Sequence, residues 1–104
     1  MKLYFYILKE PYNGKPFIQF EECEGDEKPK TYTLITRPKG YYCSRVSKND
    51  IGRKIGNVIF LLERNDSLAR SIFSESINEA ISLKEKQLKW LREQLEAVEK
   101  GEIQ

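Results

Sequence analysis

The stretch Asp66–Lys100, DSLARSIFSESINEAISLKEKQLKWLREQLEAVEK, decides the fold. It contains no Gly and no Pro, so nothing in it stops a helix. Asn65 or Asp66 can accept the orphan N–H groups of a first turn, and Gly101 supplies the stop. Apolar residues recur at Ile77, Ile81, Leu88, Leu91, Leu95 and Val98, in steps of four and three once Lys84 is counted into the row. That is a heptad seam. The first half has a broader apolar face of Leu68, Ala69, Ile72, Phe73, Ile77, Ala80 and Ile81, a width that suits packing on a sheet. The second half narrows to the seam, with charges at i,i+4 spacing on its other sides, such as Glu85 with Lys89 and Glu96 with Lys100. At 1.5 Å per residue such a helix is about 50 Å long, against ~17–20 Å for an ordinary strand. It is expected to overhang any sheet built by the first sixty residues and to need a partner.

Working outward, the residues before the helix read as an antiparallel meander. Lys2–Lys9 is apolar at nearly every position, as in a central strand or one covered on both sides. Asn13-Gly14 favours a tight turn. Lys15–Glu24 is a second strand, and Gly25–Pro29 an acidic turn. Thr31–Thr36 is a third strand and Tyr41–Val46 a fourth, separated by a turn at Arg37-Pro38-Lys39-Gly40. Ser47–Gly56 is polar with two glycines, so it reads as a loop. Asn57–Glu63 is a continuous apolar run that fits a buried fifth strand. The expected fold is α+β: a small antiparallel sheet of four or five strands over residues 1–64, then one long helix over 65–101, in a single domain of 104 residues.

Composition narrows the function classes. Charged residues make up 33 % of the chain and apolar residues 39 %, as in a small water-soluble domain with a solvated helix. The net charge of +2 gives no bulk attraction to nucleic acid, and no sequence-specific nucleic-acid binding is expected. No run reaches the length of a membrane span, and the N-terminus lacks the pattern of a signal peptide, so a cytoplasmic protein is expected. Cys23 and Cys43 are too few for a disulfide scaffold. There is no histidine, which removes the commonest general base and metal ligand together. No metal or cofactor is expected, and an enzyme is the least favoured class, although hydrolysis by carboxylates and lysine stays open.

Arg37–Lys54 is the segment most able to carry chemistry. It holds Arg37, Lys39, Arg45, Lys48, Arg53 and Lys54 against a single acid, Asp50, interleaved with Tyr41 and Tyr42. Guanidinium forks suit phosphates, and tyrosine faces suit bases. Gly40, Gly52 and Gly56 are candidates for backbone approach to an anion. The alternative is an ordinary solvated basic loop. Candidate ligand residues are Arg37, Tyr41, Tyr42, Arg45, Arg53 and Lys54. The candidate oligomer interface is Ile81, Leu88, Trp90, Leu91, Leu95 and Val98. Lys84 in the seam weakens a long parallel coiled coil and marks where sheet packing gives way to helix pairing. The acidic residues Glu21, Glu22, Glu24, Asp26 and Glu27 either mimic a nucleic-acid backbone or form a solvated strand edge.

The Tyr- and Lys-rich meander, the segment Ser44-Arg45-Val46-Ser47-Lys48-Asn49-Asp50-Ile51-Gly52-Arg53, the run Val58–Glu63 and the charged final helix together resemble small accessory proteins of phages of Gram-positive bacteria. The order of elements is similar to that of the type 1 Thoeris anti-defence proteins, over most of the chain and without a diagnostic motif. That resemblance implies a homo-oligomer in the host-cell cytoplasm that sequesters a cyclic nucleotide immune signal without altering it. The alternative is an interaction protein that blocks a host defence nuclease or another host protein.

Overall fold

The computed structural model describes residues 1–101 and 103–104. The chain divides into two compact units, Met1–Phe73 and Ser74–Gln104. The first is built on six strands, one or two more than expected: β1 (Lys2–Lys9), β2 (Phe17–Glu27), β3 (Thr31–Leu34), β4 (Arg45–Ser47), β5 (Lys54–Ile55) and β6 (Val58–Leu61). All neighbours are antiparallel, in the order β4-β3-β2-β1-β6-β5. One helix, α1 (Asp66–Lys100), follows, and its residues up to Phe73 belong to the first unit.

The central place of β1 explains its composition. It pairs with β2 from Lys2↔Glu24 to Lys9↔Phe17, and with β6 from Tyr4↔Leu61 to Ile7↔Val58. Side chains alternate across a strand, so β1 feeds two cores. On one face Leu3, Phe5 and Ile7 join Cys23, Tyr32, Leu34, Val46, Val58 and Phe60, with Tyr41 and Ile51 packed against them. Val46 of β4 and Val58 of β6 share this core although their strands stand far apart in sheet order, so the sheet curls around it. On the other face Tyr6 joins Ile59, Leu61, Ala69 and Phe73, flanked by Tyr4, Leu8, Phe20 and Ile72. The continuous apolar run of β6 has the same cause, since Val58 and Phe60 enter one core and Ile59 and Leu61 the other.

Several expected boundaries move. The acidic turn at Gly25–Pro29 is mostly strand: Gly25, Asp26 and Glu27 continue β2 and pair with Leu34, Thr33 and Tyr32. The turn shortens to Lys28–Lys30, closed by the Lys28 N–H donating to the Thr31 carbonyl at 2.8 Å. The Gly25 position also needs its glycine, because an added Cβ would lie 2.7 Å from Leu3 Cδ1. The fourth strand is Arg45–Ser47, not Tyr41–Val46. The expected loop at Ser47–Gly56 contains a 3-10 turn at Lys48–Asp50, with Ser47 Oγ accepting from the Asn49 N–H at 3.3 Å, and the two-residue strand β5.

The helix starts as its sequence predicts. Asn65 is the cap: its Oδ1 accepts from the Leu68 N–H at 3.0 Å and its carbonyl from the Ala69 N–H at 3.1 Å. Asp66 is used otherwise. Its Oδ1 accepts from the Tyr6 hydroxyl at 2.7 Å, and that hydroxyl in turn accepts from the Asn65 N–H at 3.1 Å. Arg64 reaches Asp66 at 3.3 Å and lies 4.1 Å over the Phe20 ring. Both hydrogen bonds to the carboxylate, the Tyr6 bond first, hold Asp66 below the usual aspartate range. Burial and the bond to Asp66 push the Tyr6 phenol up.

The broad apolar face expected to pack on the sheet is shorter than its sequence suggests. Only Ala69 and Phe73 are buried and Ile72 half-buried, while Leu68 stays exposed. In the second unit Ile77, Ile81, Leu88, Leu91, Leu95 and Val98 are 43–81 % exposed, so the seam is uncovered along its whole length. Among the described residues, no helix is long and apolar enough to cross a membrane.

Candidate functional site

The connection from β3 to β4 carries Tyr41 and Tyr42 with two of the basic residues, Arg37 and Lys39. It is laid down on the first core rather than looped into solvent. Gly40 adopts φ +92, where an L side chain is strained, and an added Cβ would meet Ile7 Cδ1 at 2.7 Å. The positive φ therefore calls for glycine there, and the Ile7 side chain would have to shift for any larger residue. The Lys39 N–H donates to Glu21 Oε2 at 2.9 Å, and the Tyr41 N–H to the Pro38 carbonyl at 3.2 Å.

Within this segment the two tyrosines part company. Tyr41 is half-buried, packed against the first core. Its ring lies 4.8 Å from the Phe60 ring, edge-on, and 6.1 Å from the Phe5 ring, and its hydroxyl donates to the Arg45 carbonyl at 2.8 Å. Burial pushes its phenol pKa up. Of the two tyrosines expected to stack a base, Tyr41 is the one held against the core. Tyr42, at 88 % exposure, keeps its ring in solvent. Arg37 Nη1 donates to the Tyr42 carbonyl at 3.3 Å, which ties the guanidinium to the same turn. Arg45, exposed in the edge strand β4, follows directly. Arg37 and Tyr42 are thus held in one turn, with Arg45 three residues further on in β4.

Arg53 and Lys54 belong elsewhere. The Arg53 N–H donates to the Asp50 carbonyl at 3.1 Å, and Lys54 opens β5, the opposite edge of the sheet from β4. The six basic residues of the segment are therefore spread over the β3–β4 connection, β4, the 3-10 turn and the start of β5. Lys48 is paired with Glu27 at 3.6 Å and lies 5.3 Å over the Tyr32 ring. Among the described residues, Arg37, Lys39, Arg45, Arg53 and Lys54 have no carboxylate within ion-pair distance. Gly52 does not serve as an anion donor, because its N–H donates to the Phe60 carbonyl at 2.9 Å.

The acidic strand β2 is matched within its own unit. Glu21 accepts from the Lys39 N–H, Glu22 lies 3.5 Å from Lys2, Glu24 3.6 Å from the N-terminal amine, Asp26 2.9 Å from Lys28 and Glu27 3.6 Å from Lys48. This arrangement has a structural account and does not present an uncompensated row of acids. Cys23 is buried, its thiol pushed up to about 11 by burial and by Glu21 and Glu24, so it holds little thiolate at neutral pH. Cys43 is exposed and lies outside the strands.

The second unit offers a different kind of surface. Ile77, Ala80, Ile81 and Leu88 form an exposed apolar strip along one face of α1, with Lys84 and Glu85 beside it. Leu83, Trp90 and Ala97 form a second line at seven-residue spacing, and Trp90 is 59 % exposed. Trp90 therefore stands beside the seam rather than in it. Comparison with protein-family models, with curated proteins and with solved structures finds no match to this chain.

Proposed function

We propose that this is a non-enzymatic binding protein that captures a phosphorylated nucleotide and works as a homo-oligomer held by α1. The observation that carries the ligand half is the turn in which Arg37 donates to the Tyr42 carbonyl while the Tyr42 ring stands in solvent, with neither Arg37 nor the nearby Arg45 paired with a carboxylate among the described residues. Two guanidinium groups meet phosphate oxygens, and the phenol face stacks the base. Arg53 and Lys54, adjacent at the start of β5, are suited to a second phosphate contact or a second ligand. Under the resemblance described above, the ligand is a cyclic nucleotide immune signal and the role is phage anti-defence by sequestration.

The test is capture from a panel of cyclic nucleotides and ADP-ribose isomers by the full chain. Reversing charge with Arg37→Glu and Arg45→Glu is expected to abolish capture while leaving oligomer size unchanged. Capture unaltered by both substitutions would reject this surface. A second reading, an interaction protein that blocks a host protein, is favoured by the uncovered apolar seam of α1. It predicts that substitutions in the seam abolish activity while those at Arg37 and Arg45 do not.

A further inference from the structure

The uncovered seam of the second unit restricts what can cover it. Ile81, Leu88 and Leu95 fall at position a of the heptad, and Ile77, Lys84, Leu91 and Val98 at position d. Position e then holds Glu85, Arg92 and Glu99, and position g holds Ala80, Gln87 and Gln94. In a parallel pair of copies, d meets d, so Lys84 would face Lys84 inside the seam. The g-to-e neighbours of that pair, Gln87 with Arg92 and Gln94 with Glu99, supply no ion pair.

An antiparallel pair changes both terms. Layers then set a against d. A twofold axis between Lys89 and Trp90 places Leu88 on Leu91, Ile81 on Val98 and Lys84 on Leu95 of the second copy. The two Lys84 residues separate by about 16 Å along the axis, and each aliphatic stem lies on a leucine while its ammonium reaches solvent. The same register sets Glu85 opposite Arg92 twice, once on each side. Those residues are seven apart on their own helix, too far to pair within it, and neither has an ion-pair partner in its own chain among the described residues.

We propose that α1 pairs antiparallel with α1 of a second copy of this chain, centred between Leu88 and Leu91, with Glu85–Arg92 pairs fixing the register. The proposal deepens the homo-oligomer part of the proposed function. Its test reads association alone, so loss of ligand capture with pairing intact would reject the ligand and leave the pairing.

Sedimentation equilibrium on the full chain compares the wild type with Glu85→Arg, Arg92→Glu and the double variant. Each single reversal puts like charges opposite each other twice, and is expected to weaken association about tenfold. The double variant restores opposite charges and is expected to recover most of the loss. A monomeric wild type, single variants that associate as the wild type does, or a double variant as weak as both losses combined would each overturn the proposal. Oxidative cross-linking gives an independent readout. In a Cys43→Ser background, copies carrying Glu85→Cys are mixed with copies carrying Arg92→Cys. The mixed disulfide is expected to dominate, whereas efficient self-linking of either variant alone would show a parallel pair and overturn the proposal.

Discussion

At the residue scale, Tyr6 joins sheet and helix start within the first unit. It sits 2 % exposed in β1, donates to Asp66 and accepts from the Asn65 N–H. Removing its hydroxyl leaves a backbone donor without its partner. Tyr6→Phe is expected to cost about 1–2 kcal/mol in denaturant unfolding, and Tyr12→Phe, at a fully solvated ring, is expected to cost nothing measurable. Asp66 adds a pH dependence of known sign. Its folded pKa is depressed, by Tyr6 first and Arg64 second, so its contribution is present above its unfolded value and lost as pH falls through the folded one. Below about pH 4 the wild type is expected to lose stability faster than Asp66→Asn, as read from melting temperatures across an acid series. Gly40→Ala combines a strained φ with a clash on Ile7 and is expected to cost on the order of 2 kcal/mol.

At the element scale, the strands legible in the sequence are those whose side-chain pattern matches their burial. β1 and β6 are apolar on consecutive positions because they lie between two cores, and α1 is legible from its period and its cap. The misread elements share a cause, which is tertiary contact overriding local pattern. Gly25-Asp26-Glu27 has turn chemistry, yet pairing with Thr31–Leu34 keeps it extended. Tyr41, Cys43 and Arg45 alternate like a strand, yet Pro38 and Gly40 hold the chain in a connection and Tyr41 turns into the core. The site was legible as residue types but not as an arrangement, because a linear run of cations does not show that Arg45 and Lys54 lie on opposite edges. The helix divides into two energetic classes. Phe73→Ala is expected to destabilise the first unit by about 3–5 kcal/mol, since Phe73 is 2 % exposed. Leu88→Glu is expected to leave the unfolding of that unit unchanged within about 0.5 kcal/mol and to abolish self-association, as read by paired melting and sedimentation runs.

At the scale of the whole molecule, two surfaces follow from how the chain spends its apolar residues. The first unit closes its own cores, and β2 finds partners for its acids inside that unit, which leaves Arg37, Lys39, Arg45, Arg53 and Lys54 without a carboxylate among the described residues. The second unit closes nothing by itself, since its large apolar side chains are all exposed. A division into one surface for a ligand and one for a second copy accounts for both. The most direct test of the central claim, capture without chemistry, is mass spectrometry of what the protein releases. The purified chain is incubated with a nucleotide panel, separated from unbound ligand and denatured. Release of one nucleotide chemically intact is the expected result, and release of an altered nucleotide, or of none, would contradict it.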